Sequence, residues 1–176
     1  MKKTITLIVV VFCLNTLAQT KMDKTYYPSG KLHKETPYTN GKINGVSKVY
    51  YESGQLEYET PYTNGKAYGV GKAYYKSGKL EIETHYPNGK LNGVSKGYYE
   101  NGKLHYEIPY PNKNGVEKWY YENGQLEKET PYTNGKINGV YKIYYENGKL
   151  HEERPYINNE ISGKWKKYDK NGNLVE

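Results

Sequence analysis

The sequence predicts an all-β fold, an elongated single-layer antiparallel meander of tandem β-hairpins. Tyrosine pairs recur with a period of 24 residues, and each period contains glycine-marked turn signals. Between the turns lie stretches of about seven residues rich in Tyr, Val, Leu and Thr, the length and composition of strands. Self-similarity at a fixed period indicates an array in which each unit packs only on its neighbours.

Six tyrosine pairs define the units, and one spacing of 22 interrupts the period of 24. The pairs are Tyr26-Tyr27, Tyr50-Tyr51, Tyr74-Tyr75, Tyr98-Tyr99, Tyr120-Tyr121 and Tyr144-Tyr145. In a seventh, degenerate copy Tyr168-Asp169 replaces the pair. We therefore assign residues 19–176 to one repeat domain of six copies plus a degenerate C-terminal half copy.

The first 18 residues have the layout of a secretory signal peptide. Lys2 and Lys3 precede an apolar run at residues 5–14, and small residues lead to Ala18. The run is shorter than the roughly 20 residues that a membrane-spanning helix needs. We expect cleavage of residues 1–18 and export to the periplasm, the cell surface or the medium. Cys13, the only cysteine, would be removed, so the mature chain would contain no disulfide.

Each unit contains two turn signals. One is Ser-Gly or Asn-Gly after the tyrosine pair, as at Ser53-Gly54, and the second is usually Asn-Gly, as at Asn64-Gly65. Both predict two-residue hairpin turns that need positive φ angles. The glycines of the first turn are Gly30, Gly54, Gly78, Gly102, Gly124, Gly148 and Gly172.

The first turn predicts which residues lie opposite each other in the hairpin. One side, the tyrosine face, pairs Tyr51 with Leu56, Val49 with Tyr58, Ser47 with Thr60 and Gly45 with Tyr62. The other side, the charged face, pairs Tyr50 with Glu57, Lys48 with Glu59 and Val46 with Pro61. The Lys-Glu pairing repeats at Lys72-Glu83, Lys96-Glu107, Lys118-Glu129 and Lys142-Glu153.

Two further features agree with this pairing. A glycine inside a strand exposes backbone that a cross-strand ring can cover, and Gly45-Tyr62 recurs as Gly69-Tyr86, Gly93-Tyr110 and Gly139-Tyr156. One unit reads PYPNKNGV in place of PYTNGKINGV and so lacks two residues. Because the deletion is even, the strands after it keep their faces.

The pattern Tyr-Tyr-x-x-Gly-x-Leu followed by Tyr-x-Asn-Gly-Lys resembles the variant MORN repeat, which also occurs in the YwqK-type family of toxin-antitoxin antitoxins. The resemblance implies an elongated, twisted sheet of hairpins that serves as a binding platform, with no chemistry of its own. The segment KWYYENGQL, residues 118–126, is also similar to the choline- and glucan-binding repeats of cell-wall proteins.

The tyrosine face is the predicted binding surface. A single sheet cannot bury this face against a second layer of its own, so either a partner covers it or neighbouring tyrosines pack as the core of the repeat. Specificity should lie where the copies differ, at the position shared by Lys34, Tyr58, Ile82, Tyr106, Lys128 and Glu152. The predicted binding residues are Tyr58, Ile82, Tyr106, Trp119, Tyr51, Tyr75 and Tyr99.

The sequence argues against catalysis, cofactors and metal sites. Catalysis needs one singular group of acid, base or nucleophile, whereas a repeat spreads each residue type along the array. His33, His105 and His151 share one repeat position, where we expect exposed side chains on the charged face. We therefore predict that the protein is not an enzyme.

The formal net charge of +7 does not predict nucleic-acid binding, because many lysines lie opposite glutamates. Lysines beside the turns form two rims that could contact anionic lipid headgroups, glycans or an acidic partner. The rim at the first turn contains Lys31, Lys79, Lys103 and Lys149, and the rim at the second contains Lys42, Lys66, Lys90 and Lys136.

The sequence thus predicts an exported, non-catalytic platform that binds a protein, such as a toxin or a surface protein, through its tyrosine face. Two alternatives stay open. One is an antitoxin or immunity protein of the YwqK-type family, and the other is a cell-surface protein that binds glycan or membrane.

Overall fold

A computed structural model describes residues 18–111 and 113–176, which form one open antiparallel sheet of 17 strands and no helix. The first nine strands are β1 (Thr20–Tyr26), β2 (Leu32–Thr39), β3 (Lys42–Ile43), β4 (Gly45–Tyr50), β5 (Leu56–Thr63), β6 (Lys66–Ala67), β7 (Gly69–Tyr74), β8 (Leu80–Tyr86) and β9 (Gly93–Tyr98). The others are β10 (Leu104–Tyr110), β11 (Gly115–Tyr120), β12 (Leu126–Thr133), β13 (Lys136–Ile137), β14 (Gly139–Tyr144), β15 (Leu150–Ile157), β16 (Glu160–Ile161) and β17 (Lys166–Lys167).

The predicted all-β meander of hairpins is confirmed. Apart from Ala18, the predicted signal peptide lies outside the described residues. Within the described part of the chain, no helix has the length and apolar character needed to cross a membrane.

The predicted strand pairing is correct over most of each hairpin. Lys48 lies opposite Glu59, and the four equivalent Lys-Glu pairs lie opposite each other as predicted. The glycine-tyrosine pairs, such as Gly45-Tyr62, are also in place. The sequence therefore determines which face most side chains occupy.

The first turn is longer than predicted. The amide of Tyr51 donates to the carbonyl of Gln55, the amide of Gly54 donates to the carbonyl of Tyr51, and only Gly54 has a positive φ, 99°. This is a three-residue turn in which a left-handed glycine forms a bulge. The bulge places Tyr50 opposite Leu56, so the predicted Tyr51-Leu56 and Tyr50-Glu57 pairs are wrong.

The second turn is the predicted two-residue type. Asn64 and Gly65 both have positive φ, 51° and 83°, and the pair Thr63-Lys66 closes the turn. Both central residues need a left-handed conformation in such a turn, which favours Asn-Gly. In the last unit Asn159, with φ of 77°, takes the place of the glycine.

The strand that follows the second turn begins with a residue that must be glycine. Gly45 has a φ of 114°, and a Cβ there would lie 3.0 Å from Cγ of Pro37. The chain makes a two-residue bulge between β3 and β4, which preserves the faces because the number is even. Backbone conformation and the nearby proline thus account for this glycine, in addition to the predicted ring opposite it.

The shortened unit keeps the alternation, as predicted from its even deletion. Glu107 lies opposite both Lys96 and Lys118, so the pairing continues across the deletion. The pairing of β10 with β11 therefore continues the sheet past the shortened unit.

The most buried side chains lie in the middle of the tyrosine face. Ala73 is 4% exposed, and in other units small polar residues are buried on the same face: Thr36, Ser47, Ser95 and Thr130. Larger rings cover the small residues, since a Cβ on Gly97 would collide with the ring of Tyr106. The core of the repeat is thus one surface of a single layer, covered by its own aromatic residues.

Candidate functional site

The second tyrosine of each pair links its unit to the next. The hydroxyl of Tyr51 donates to the carbonyl of Tyr74 at 2.8 Å, and those of Tyr75 and Tyr99 make the same bond at 2.6 Å. Burial raises the pKa of all three hydroxyls, and nearby glutamates raise it further. Three of the predicted binding residues are therefore half-buried side chains with a structural role.

The first tyrosine of each pair makes a different link on the charged face. The hydroxyl of Tyr50 donates to Oε1 of Glu35, in the preceding unit, at 2.6 Å. Burial, together with this carboxylate, raises the pKa of Tyr50 to about 12. The equivalent bonds join Tyr74 to Glu59, Tyr98 to Glu83, Tyr120 to Glu107, Tyr144 to Glu129 and Tyr168 to Glu153.

Lysines and glutamates alternate in one continuous row along the charged face. The row is Lys24, Glu35, Lys48, Glu59, Lys72, Glu83, Lys96, Glu107, Lys118, Glu129, Lys142, Glu153 and Lys166. Nζ of Lys96 lies 3.5 Å from Oε1 of Glu107, and Nζ of Lys166 lies 2.8 Å from Oε1 of Glu153. Each internal lysine has a carboxylate on both sides, which weakens this face as a track for phosphates.

The centre of the tyrosine face is a continuous uncharged row. It runs across successive strands from Tyr58 through Ala73, Ile82, Gly97 and Tyr106 to Trp119. Tyr58 is 48% exposed. The structure thus aligns four of the predicted binding residues, Tyr58, Ile82, Tyr106 and Trp119.

A cavity of about 190 Å³ opens on this row. Its lining includes Tyr58, Ile82 and Tyr86 beside the small residues Gly71 and Ala73. Thr60, Thr84 and Lys72 complete the lining, and Lys72 is the one charged residue among them. The cavity was not predicted, although two small residues in one strand, Gly71 and Ala73, are the sequence signal for it. Other units have larger side chains at one or both of these positions.

A polar cluster supports Trp119 at one end of the row. Its indole N–H donates to Oε1 of Glu117 at 2.8 Å, and Nζ of Lys113 donates to Oε2 of Glu117 at 2.7 Å. Glu117 is only 7% exposed. Burial by itself would raise the pKa of this carboxyl, but the bonds from Lys113 and Trp119 outweigh it and lower the pKa. Lys128 lies 5.1 Å from the centre of the indole ring.

Charged residues occupy the tyrosine face beyond this point. Glu152 is 4% exposed and forms an ion pair with Arg154. Cζ of Arg154 lies 4.4 Å from the centre of the Trp165 ring, and Nζ of Lys167 lies 4.2 Å from it. Because both ends of the face carry charge, the uncharged row is limited to the central units.

The three equivalent histidines pack against the second tyrosine of their units. The ring centres are 4.6 Å apart for Tyr27-His33, 4.1 Å for Tyr99-His105 and 4.3 Å for Tyr145-His151. The prediction that these histidines are exposed on the charged face is wrong, because each is half-buried against its tyrosine. His105 also lies 5.3 Å, between ring centres, from Trp119 of the row. Among the described residues, no three His, Cys, Asp or Glu side chains are grouped closely enough to hold a metal ion.

The two lysine rims differ. At the first turn Lys79, Lys103 and Lys149 donate to carbonyls of the next unit's turn at 2.6 to 2.8 Å. These lysines therefore connect units as well as carrying charge. At the second turn Lys42, Lys66 and Lys136 are exposed.

A family model described as MORN repeat variant matches the chain in seven segments. The segments are residues 24–40, 43–64, 67–88, 91–112, 113–134, 137–158 and 161–176. No curated protein matches the chain.

Proposed function

The chain belongs to the MORN repeat variant family, and from this we propose that it is an exported, non-catalytic protein that binds a protein partner through the centre of its tyrosine face. The docking surface consists of Tyr58, Ile82, Tyr106 and Trp119. Tyr51, Tyr75 and Tyr99 support this surface by linking the units beneath it.

One observation carries the proposal: an uncharged, partly exposed row lies on a single-layer sheet and contains an open cavity. Aromatic side chains beside a pocket are typical anchors of protein interfaces. From β4 to β10 every paired position on the tyrosine face is uncharged, as is common at the centre of an interface.

The proposal assigns no catalytic role because the residue types that do chemistry have structural partners. The glutamates of the charged row accept hydrogen bonds from tyrosines, and the three equivalent histidines pack against tyrosines. A protein of this kind acts by holding a partner in place.

Export is supported by Lys2, Lys3 and the apolar run that follows them. The test is N-terminal sequencing of the protein recovered from the periplasm, the cell surface and the medium. We expect a mature chain that begins at Gln19. A protein that keeps residues 1–18 would contradict the export proposal.

The binding proposal is tested by changing Tyr58, Tyr106 and Trp119 to alanine. Partners are captured in the producing cell by a photo-crosslinking residue placed at Ile82. We expect the triple variant to lose the crosslinked partner while its β-type circular dichroism persists. Matched controls are Val46→Ala and Val94→Ala, which alter exposed positions on the opposite face. Equal crosslinking in the triple variant would rule out this face.

A second test fills the cavity without disturbing the repeat. Ala73→Ile introduces the side chain that Ile143 has at the equivalent position, so the fold should tolerate it. We expect a loss of partner capture, and Val49→Ile, at the same position in another unit, is the control. Capture of a toxin whose gene lies next to the gene of this protein would support the antitoxin role. Retention on a glycan array or on anionic vesicles without a protein partner would favour the other alternative.

A further inference from the structure

The outer edge of the first strand has no pairing strand in the part of the chain that the structure describes. Among the described residues, β1 pairs with β2 alone, and six of its seven residues are exposed. An open edge presents unpaired backbone N–H and C=O groups to another strand. The interior of the same sheet shows which strand fits there.

Six internal junctions repeat the arrangement that β1 lacks. In five later units the strand that ends in the first tyrosine is flanked by the glutamate-bearing strand of the unit before it. In the degenerate copy, β17 ends just before Tyr168 and is flanked by β15 in the same way. At β4 the glutamate is Glu35, which lies opposite Lys48 and accepts the hydroxyl of Tyr50 at 2.6 Å. At β7 Glu59 does the same for Lys72 and Tyr74, also at 2.6 Å.

β1 contains the same two recognition residues without the strand that would satisfy them. Tyr26 is the first tyrosine of its pair, yet it is 59% exposed and its hydroxyl has no partner in the described part of the chain. Within residues 18–111 and 113–176, Lys24 has a carboxylate on one side only, that of Glu35. β1 therefore presents half of a junction whose other half is known from six examples.

No described residue supplies the missing carboxylate. Residues 1–17 contain no aspartate or glutamate, so they offer no side-chain carboxylate to Tyr26 and Lys24. At the opposite end of the sheet, Asp169 accepts bonds from the amides of Asn171 and Asn173 within its own turn. The carboxylate of Glu176 there lies 3.6 Å from Lys167. A second copy is thus a poor complement for the edge of β1.

We infer that the edge of β1 binds an extended, acidic segment of a partner protein, which adds to the sheet as its next strand. The segment places a glutamate opposite Lys24, where its carboxylate accepts the hydroxyl of Tyr26. Backbone bonds to Thr20–Tyr26 supply affinity, and the glutamate sets the register, as in other cases of strand addition. This site is separate from the tyrosine face and does not depend on the proposed function.

The test uses a probe that the structure provides. The capped peptide LEYETPYT has the sequence of β5, Leu56–Thr63, which occupies the equivalent edge of β7. Its binding to the purified protein is followed by NMR, and we expect shifts of the amide signals of Thr20–Tyr26. The peptide LEYKTPYT, in which lysine replaces the glutamate, is the matched control and should not bind there.

Tyr26→Phe removes the hydroxyl and retains the ring. We expect the dissociation constant of LEYETPYT to rise about tenfold, the value of one hydrogen bond to a charged group. Tyr58→Phe, which alters an exposed tyrosine on the tyrosine face, should leave the dissociation constant unchanged. The inference fails if LEYETPYT does not bind at millimolar concentration, if its shifts fall outside β1, or if neither Tyr26→Phe nor the lysine peptide weakens binding. The triple alanine variant of the tyrosine face should bind the peptide normally, so this test and that of the proposed function can fail separately.

Discussion

Three tyrosine positions in each repeat have three different environments. Tyr50 bonds to a carboxylate of the preceding unit, Tyr51 bonds to a carbonyl of the following unit, and Tyr58 is exposed on the central row. The sequence reveals the pairs but not these roles. The hydroxyl partners lie 15 or 23 residues away, and they depend on how successive hairpins stack rather than on the pairing within one hairpin.

The linking role predicts a difference between two conservative substitutions. Tyr51→Phe should lower the free energy of unfolding by about 1 kcal/mol, because it leaves a half-buried carbonyl without its donor. Tyr58→Phe should change it by less than about 0.5 kcal/mol, since the hydroxyl is on an exposed side chain. Urea unfolding of the two variants measures the difference, and equal effects would show that the Tyr51 bond contributes nothing.

The tyrosines on the charged face make the fold sensitive to alkaline pH. Burial and a neighbouring glutamate raise the pKa of Tyr50, Tyr74, Tyr120 and Tyr144 to about 12, above the usual 10.0. The folded state therefore favours the protonated hydroxyls. This contribution is complete below pH 10 and is lost as the pH rises towards 12.

Urea midpoints measured from pH 8 upwards, together with tyrosinate absorbance, test this prediction. We expect stability to fall between about pH 10 and pH 12 as tyrosinate forms. Phenylalanine at the four positions should reduce the fall, because the other titratable side chains are the same in both proteins. An equally steep fall of stability in the phenylalanine variant would show that these four tyrosines do not cause it.

At the scale of elements, two similar glycine dipeptides form different turns. The alternation of apolar and charged residues was enough to predict the strands and most of their pairing. It was not enough to distinguish Ser53-Gly54 from Asn64-Gly65, because both dipeptides permit a left-handed glycine. Only the residue before the glycine differs in conformation, with positive φ at Asn64 but not at Ser53. The resulting bulge is also why the positions of Leu56 and His33 were predicted wrongly.

This difference predicts how the two turns respond to alanine. Asn64→Ala should cost about 1 kcal/mol, because alanine is strained in the left-handed conformation that asparagine tolerates. Ser53→Ala should be close to neutral, since that residue is not left-handed. Thermal unfolding of the two variants checks the prediction. A loss of stability in Ser53→Ala as large as that in Asn64→Ala would contradict the assignment of turn types.

At the scale of the whole molecule, stability is distributed over similar junctions between neighbouring hairpins. The array and its faces were predictable because a period of 24 residues and an even deletion both preserve the alternation of side chains. The cavity beside Ala73 and the cluster around Glu117 could not be predicted from the repeat. Both arise where one unit departs from the repeat, and the outcome depends on which neighbouring rings cover the altered position.

The array predicts that whole units can be removed. Deleting residues 45–68, one complete period, joins Asn44 to Gly69 and should leave a shorter folded sheet with a smaller dependence of stability on urea. Deleting residues 45–67 shifts every later strand by one position and should abolish cooperative unfolding. Circular dichroism of both proteins checks this. A stable fold after the odd deletion would show that the two faces are interchangeable.

The direction of the backbone bonds has a mechanical consequence. Bonds between antiparallel strands run perpendicular to the strands, and so along the length of this sheet. Tension between the two ends would therefore break the hydrogen bonds of one junction before those of the next. Each opened unit would release about 80 Å of extended chain, where two folded strands had spanned about 10 Å. Tethered at both ends, the molecule would lengthen stepwise under small forces and close again from any unit left intact.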